Sequence, residues 1–196
     1  MSDFIHRAIP GDSPTLVLLH GTGGDENQLV QLGQMIAPGK ALLGVRGKVL
    51  ENGAPRYFRR LREGVFDLED LRFRTHELSD FLATREGPLV AVGYSNGANI
   101  AASMLLLRPE VLSGAVLFHA QVPLEPESPP ALKGKSIFLS RGLRDPIVPP
   151  ANSQQLAEMF RQNGADLTLK DVGAGHELTN DEVEAARTWF EGRASW

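Results

Sequence analysis

The sequence predicts a three-layer α/β/α sandwich built around a mostly parallel β-sheet. Short, continuously apolar runs alternate with amphipathic segments along the chain. The apolar runs lack the polar alternation of a half-exposed strand, as expected where helices cover both faces of a parallel sheet. No repeat, low-complexity tract or linker interrupts the alternation over the 196 residues. We therefore expect one domain spanning residues 1–196.

Six apolar runs are predicted to form strands. Each is bounded by Gly, Pro or polar residues, which are typical of strand ends. The predicted strands cover residues 15–19, 41–45, 88–93, 114–118, 136–140 and 166–172.

Helices are predicted in the segments between these strands. Apolar residues there recur at helical spacing, Asp67 is placed to cap one helix, and Thr179 with Glu182 forms a capping-box pattern. The predicted helices cover residues 26–36, 67–83, 96–107, 152–163 and 179–190. Residues 47–66 are expected to be irregular, and residues 121–135, with four prolines, to form a loop.

The composition excludes several classes of protein. With 42% hydrophobic and 22% charged residues and a net charge of −4, the chain shows no basic surface for nucleic acid or an anionic membrane. The absence of cysteine excludes disulfides, thiolate metal sites and a cysteine nucleophile. The apolar runs are too short to span a bilayer, and the N-terminus MSDFIHRAIP has no secretory pattern. We expect a cytoplasmic protein.

A serine stands between two glycines where the third strand gives way to a helix, in the segment Gly93-Tyr-Ser-Asn-Gly97. A strand that turns directly into a helix must fold back sharply, and flanking glycines relieve the clashes at the corner. The serine hydroxyl is then exposed above a helix N-terminus. Ser95 is therefore a candidate nucleophile, and an ordinary turn is the alternative.

A serine nucleophile needs a base and a group that orients the base. Of the five histidines, His176 lies in a glycine-rich loop directly after the sixth strand, and Asp145 follows the fifth strand. Since the ends of parallel strands share one sheet edge, the carboxylate can reach the imidazole. The alternatives are a solvated loop histidine and a turn-forming aspartate.

The glycine-rich turn His20-Gly-Thr-Gly-Gly24 follows the first strong strand on the same edge. The backbone N–H groups of Thr22 and Asn96 could form an oxyanion hole there. A phosphate-binding loop is the alternative, but no Lys-Ser/Thr follows and the glycine spacing differs from G-x-G-x-x-G. His20 is expected to brace this turn.

Candidate substrate-binding residues are Arg56, Tyr57 and Phe58, which lie in a basic and aromatic stretch, and His119, which ends the fourth strand. The stretch could bind a carboxylate or phosphate, or it could be a surface segment balanced by neighbouring acidic residues. We expect no metal site, because no set of carboxylates and imidazoles is seen to converge.

Four motifs, LLHGTGGDE, GYSNGA, LRDPIVP and GAGHE, in this order resemble the α/β-hydrolase superfamily. They are most similar to its bacterial phospholipase/carboxylesterase (acyl-protein-thioesterase-like) branch. The resemblance implies Ser95 as nucleophile, His176 as general base and then acid, Asp145 as orienting carboxylate, and Thr22 and Asn96 as oxyanion donors. It implies no metal or organic cofactor. About a dozen residues precede the first strong strand, so the early antiparallel strands of larger members must be shortened or missing.

The expected function is a serine carboxylesterase that acts on short- to medium-chain esters through an acyl-enzyme. An acyl thioesterase or a lysophospholipase with the same triad is the enzymatic alternative. A non-catalytic ligand-binding protein on a hydrolase scaffold is the alternative of another class. The expected partner is a small-molecule ester, without nucleic acid or a membrane span. A homodimer fits this branch, but the sequence shows no interface patch.

Overall fold

The fold is seen in a computed structural model, which describes residues 3–193 and 196. The strands, in chain order, are β1 His6–Ile9, β2 Asp12–Leu19, β3 Lys40–Val45, β4 Val49–Glu51, β5 Ala54–Arg56, β6 Arg60–Arg62, β7 Val65–Phe66, β8 Leu89–Tyr94, β9 Gly114–Phe118, β10 Ser136–Gly142 and β11 Asp166–Val172. Seven of them form one sheet in the order β1-β3-β2-β8-β9-β10-β11. All neighbours in this sheet are parallel except β1, which runs antiparallel to β3.

Helices cover both faces of the sheet. They are α1 Val30–Ile36, α2 Leu68–Leu82, α3 Asn96–Leu107, α4 Pro150–Gln162 and α5 Asn180–Glu191. Buried side chains of α2, α3 and α4 pack in one apolar cluster with one face of the sheet, and those of α1 and α5 pack in a second cluster with the other face. The three-layer architecture predicted from the sequence is thus confirmed. Within the described part of the chain, no helix has both the length and the apolar character needed to cross a bilayer.

The N-terminal part of the sheet is reduced to one short antiparallel strand. Strand β1 has four residues, three of them exposed, so it carries no apolar run by which the sequence could reveal it. The six predicted strands are all present, with ends that differ by a few residues at most.

Residues 47–66 differ from the prediction. They form two short antiparallel hairpins, β4–β5 and β6–β7, where an irregular segment was expected. Strands of two or three residues are too short to show a period of two in the sequence. The first helix also begins later than predicted, at Val30, because residues 26–29 form turns.

The register of the sheet brings the loops of the site together. Leu19 lies opposite Gly93 and Tyr94 lies opposite Phe118. Phe118 in turn lies opposite Ser140. The carboxyl ends of β2, β8, β9 and β10 therefore meet at one edge, with β11 ending beside β10, and this is the edge where open α/β sheets bind ligands.

Candidate active site

Ser95 occupies a strained turn between β8 and α3. Its backbone has φ +52° and ψ −111°, a conformation that is costly for a residue with a side chain. The turn is held by a hydrogen bond from the Ser95 N–H to the Phe118 carbonyl, 2.9 Å long. A Cβ on Gly93 would lie 2.6 Å from the backbone of Gly97, and one on Gly97 would collide with the Leu19 carbonyl. Glycine is therefore required on both sides of the serine, as the sequence indicated.

The three candidate catalytic side chains form one hydrogen-bonded line. Ser95 Oγ lies 2.8 Å from His176 Nε2, and His176 Nδ1 lies 2.7 Å from Asp145 Oδ2. With a proton on Nδ1 donated to the carboxylate, Nε2 is free to accept the serine proton. The structure therefore brings together three residues separated by 81 and 31 positions along the chain.

Asp145 is held in place by its own loop. Its Oδ1 accepts hydrogen bonds from the N–H groups of Ile147 and Val148, at 2.8 and 3.0 Å. Burial by itself would raise the pKa of the carboxyl, but these donors and the His176 imidazole outweigh it and hold the pKa below its ordinary value. Asp145 is thus ionised at neutral pH.

The loop that carries His176 is anchored to β8 and β10. The Tyr94 hydroxyl donates a hydrogen bond of 2.8 Å to the His176 carbonyl. The backbone of Gly175 packs so closely on Gly142 that no side chain would fit there. These contacts hold the imidazole over the sheet edge while its side chain remains 15% exposed, which a base that meets a substrate needs.

Two backbone N–H groups near Ser95 are free for an oxyanion. Thr22 and Asn96 line the same cavity as Ser95. Among the described residues, neither N–H donates a hydrogen bond to a protein acceptor. The turn around Thr22 is fixed by its neighbours, since the Gly23 N–H donates to the Pro55 carbonyl at 2.9 Å and the Gly21 N–H donates to Gln28 Oε1 at 2.9 Å. Both N–H groups are thus candidate donors to an oxyanion.

His20 braces this turn, as expected. Its Nδ1 donates to the Gly21 carbonyl at 2.6 Å, and its Nε2 accepts from the Gly47 N–H at 2.9 Å. Burial lowers the pKa of the imidazole, in spite of the opposing hydrogen bond to Gly21. A neutral ring satisfies both bonds, so His20 is structural.

The space above Ser95 is a cavity of about 330 Å³. Among the predicted substrate-binding residues, Arg56 lines it. The residue is 3% exposed, and its guanidinium donates through Nη1 to Thr22 Oγ1 at 2.8 Å. Its Nε lies 3.2 Å from a Glu51 carboxylate oxygen. Burial lowers the pKa of this guanidinium, with the nearby charge of Arg60 acting in the same sense.

The other three predicted substrate-binding residues do not reach the cavity. Tyr57, Phe58 and His119 are 3%, 0% and 0% exposed and lie outside its lining. Tyr57 supports the core of the site, since its hydroxyl donates to the Val45 carbonyl at 2.5 Å and accepts from the His20 N–H at 3.0 Å. Burial raises the pKa of this phenol far above its ordinary value. For these residues the prediction is corrected: Tyr57 and Phe58 pack in the apolar core, and the His119 ring lies between Asp145 and Glu182.

Several residues of the site were missed by the sequence analysis. The walls of the cavity also include Asn99, Gln121, Arg60 and Phe66, from four different segments. Glu182 was recognised as a helix-capping residue, and the capping box with Thr179 is present. Its second role, beside His119, had one sequence signal: Glu182 lies six residues after His176, where the last helix begins behind the base.

His119, Asp145 and His176 also place one ligand atom each within 4.8 Å of one another, a spacing compatible with a metal ion. However, Asp145 Oδ2 already accepts from both imidazoles, at 3.2 Å from His119 and 2.7 Å from His176. The atoms that would bind a metal therefore form the hydrogen bonds of the triad, and the cluster fits acid–base chemistry better than a metal centre.

The parallel sheet, the strand–serine–helix turn and the chain order Ser95, Asp145, His176 define the α/β-hydrolase fold. Comparison with known proteins leads to the same assignment. The chain belongs to the phospholipase/carboxylesterase family, whose model matches residues 82–192.

Relatives cover nearly the whole chain. The putative hydrolase MhqD of Bacillus subtilis (strain 168) is 47% identical over 183 residues, which cover 90% of this chain and 92% of the relative. The carboxylesterase of Bacillus cereus superposes with a TM-score of 0.93 at 45% identity, over 96% of this chain and 93% of the other. YahD, solved with malic acid, superposes with a TM-score of 0.89 at 34% identity, over 96% and 98% of the two chains. The chain is thus an enzyme of the ester-hydrolysing class.

Proposed function

We propose that this protein is a serine carboxylesterase that hydrolyses short- to medium-chain carboxylic esters through an acyl-enzyme on Ser95. The observation that carries the proposal is the line of hydrogen bonds from Ser95 Oγ through His176 to Asp145, with 2.8 and 2.7 Å between the paired atoms. A buried carboxylate, an oriented imidazole and a strained serine beside free N–H groups are the parts that acyl transfer requires.

In the first half of the reaction, Ser95 Oγ attacks the ester carbonyl carbon while His176 Nε2 takes the hydroxyl proton. The Thr22 and Asn96 N–H groups bind the developing oxyanion. Asp145 stabilises the imidazolium, which then protonates the departing alkoxide. In the second half, His176 removes a proton from water, the hydroxide attacks the acyl carbon, and the acid leaves as the serine is reprotonated.

The size of the cavity supports small substrates. Its volume of about 330 Å³ is at the lower end of the range for ligand pockets, roughly 300 to 1,000 Å³. One wall is the β6–β7 hairpin, and the segment 121–135 contributes only Gln121. A short or medium acyl chain fits such a space, whereas a long chain would extend into solvent.

Arg56 is the residue we propose for recognising the substrate. Arg56 lines the cavity, and its Nη2 makes no hydrogen bond with the described residues. A guanidinium in a partly dehydrated wall binds a carboxylate strongly. YahD, a structural relative, was solved with a dicarboxylic acid, malic acid. We infer that esters with a free carboxylate are preferred over neutral ones.

Active-site labelling with a fluorophosphonate tests the nucleophile. Ser95→Ala is expected to abolish labelling and to lower kcat on p-nitrophenyl esters by about 10⁶-fold, as in other serine hydrolases. Ser128→Ala, in an exposed loop, is the control and should match the wild type. Labelling that persists in Ser95→Ala would show that another serine is the nucleophile.

The same preparation, offered p-nitrophenyl esters of increasing acyl length, acyl thioesters and lysophospholipids, determines the substrate class. The proposal expects the highest kcat/KM on short to medium esters. A higher kcat/KM on thioesters or lysophospholipids would replace the carboxylesterase with that activity, and no turnover of any acyl substrate would reject catalysis.

A further inference from the structure

His119 is a buried histidine that the triad mechanism does not use. It follows β9 with a left-handed backbone, φ +56°, and its side chain has no exposed surface. Its N–H donates to the Ser140 carbonyl at 3.0 Å, which fixes the turn. A non-glycine residue in this conformation, fully enclosed beside the catalytic groups, is held there by its surroundings at a cost in strain.

The ring of His119 stands between two buried carboxylates. Its Nδ1 lies 3.2 Å from Asp145 Oδ2, and its Nε2 lies 3.0 Å from Glu182 Oε1. Glu182 is 0% exposed. The ring centroid is 5.2 Å from that of His176, and the ring of Tyr94 meets it edge-on at 6.0 Å. Asp145, Glu182, His176 and Tyr94 are the titratable groups in contact with His119, and Glu177 acts on it from a distance.

Both carboxylates accept several hydrogen bonds, which favour their ionised form. Glu182 accepts from the Ser140 hydroxyl at 2.8 Å, the Thr179 N–H at 2.9 Å and the Thr179 hydroxyl at 2.8 Å. Asp145 accepts from two N–H groups and His176. Burial by itself would raise the pKa of Glu182, but His119 and Ser140 outweigh it and lower the pKa.

An imidazole between two ionised carboxylates carries a proton on each nitrogen. In a neutral ring, one nitrogen would carry a lone pair that faces a carboxylate oxygen inside a buried site. The lone pair and the carboxylate would repel each other. Nε2 makes no hydrogen bond with the described residues, so its 3.0 Å contact with Glu182 Oε1 acts mainly as an ion pair. Burial lowers the pKa of His119, but the two carboxylates outweigh burial and raise it.

We propose that His119 is a positioning residue, an imidazolium held by Glu182 that fixes the Asp145 carboxylate and places a positive charge beside the catalytic base. The inference rests on the proposed function. Asp145 Oδ2 then accepts a hydrogen bond from each of two imidazoles, the charged ring of His119 and the ring of His176. The positive charge of His119 lies close to His176, with 5.2 Å between the ring centroids, and like charges at this distance repel each other.

The pH dependence of kcat/KM separates this role from simple packing. His119→Gln keeps a polar side chain but removes the charge and one donor to Asp145. Both changes favour protonation of the catalytic base, so the acid limb should move to higher pH by about one unit, with kcat at pH 7 reduced about tenfold. His76→Gln, on an exposed position of α2, is the matched control and should leave the acid limb unchanged.

Imidazole ¹⁵N NMR tests the protonation state without any substrate. The resonance lost in His119→Gln identifies the ring, which at pH 7 should carry two protons in the wild type. Glu182→Gln, which removes the counter-charge, should shift its titration to lower pH. A singly protonated His119 at pH 7 would overturn the inference, as would a folded His119→Gln with the wild-type acid limb. A wild type that hydrolyses no ester but shows the doubly protonated ring would reject the proposed function, and with it the catalytic part of this role.

Discussion

At the residue scale, the backbones of two of the three candidate catalytic residues are hydrogen-bonded to the end of a neighbouring strand. The Ser95 N–H is bonded to the end of β9, and the His176 carbonyl is bonded to the Tyr94 hydroxyl at the end of β8. Such links stabilise the line of hydrogen bonds only when the sheet register is correct. The alignment therefore depends on the sheet as well as on the three loops.

Arg56 gives the prediction that belongs to this scale. If its guanidinium binds a substrate carboxylate, Arg56→Gln should lower the ratio of kcat/KM for an aryl hemisuccinate to that for the aryl butyrate by about tenfold or more, as expected for a charge-assisted hydrogen bond. Because Arg56 also bonds to Thr22, both rates should fall, and the ratio is the informative quantity. Arg62→Gln, at an exposed position outside the cavity, is the control. An unchanged ratio in Arg56→Gln would contradict the proposal.

At the element scale, the segment around the β4–β5 hairpin supports both the turn at Thr22 and the turn at Ser95. Pro55 accepts from Gly23, Gly47 donates to His20, and the Tyr57 N–H donates to Asn96 Oδ1 at 2.8 Å. This arginine-rich stretch, which looked irregular in the sequence, thus connects the turn at Thr22 with the turn at Ser95 through hydrogen bonds. Its importance lies in backbone hydrogen bonds, which residue type does not show.

The strand–turn–helix unit of β8 and α3 gives the prediction for this scale. Gly97→Ala places a methyl group against the carbonyls of Leu19 and His20, so the stability measured by urea unfolding should fall by about 1 to 3 kcal/mol or more, and kcat should fall with it. Gly173→Ala is the matched control, because a Cβ there meets no atom within 4 Å. Wild-type stability in Gly97→Ala would show that the close approach of helix and strand is not as described.

At the scale of the whole molecule, a cluster of three buried ionisable side chains lies behind the candidate active site. It joins the loop after β10 to the start of α5 through Asp145, His119 and Glu182. Removing one member leaves the others without a partner in a low-dielectric region, which costs more than the intact set contributes. Folding stability should therefore depend on pH through these groups.

The stability advantage of the wild type over Glu182→Gln gives the prediction for this scale. The lowered pKa of Glu182 contributes stability above its ordinary value, near 4.5, which is lost as the pH falls through the lower folded pKa. The raised pKa of His119 contributes stability below about 6.5, which is lost as the pH rises through the higher folded pKa. Urea unfolding from pH 3.5 to 9.5 should show the largest difference between about pH 5 and 6.5. A difference independent of pH would mean that the pair is uncharged.

The sequence by itself determined the layered fold, the six central strands and the three residues of the hydrogen-bonded line. These features depend on local signals: apolar runs, glycines flanking Ser95, and polar residues directly after strands, as at Asp145 and His176. The carboxyl ends of parallel strands lie at one edge of a sheet, so residues that directly follow such strands meet at that edge.

Tertiary structure alone decided which other side chains face the cavity. Arg56 lines it, whereas the adjacent Tyr57 is buried in the core, although both belong to one stretch of sequence. His119 was expected in the pocket and lies behind Asp145, paired with Glu182 from a helix 63 positions further along the chain. The direction of a side chain in a loop is set by packing and by buried charge partners, and these arise only when distant segments meet.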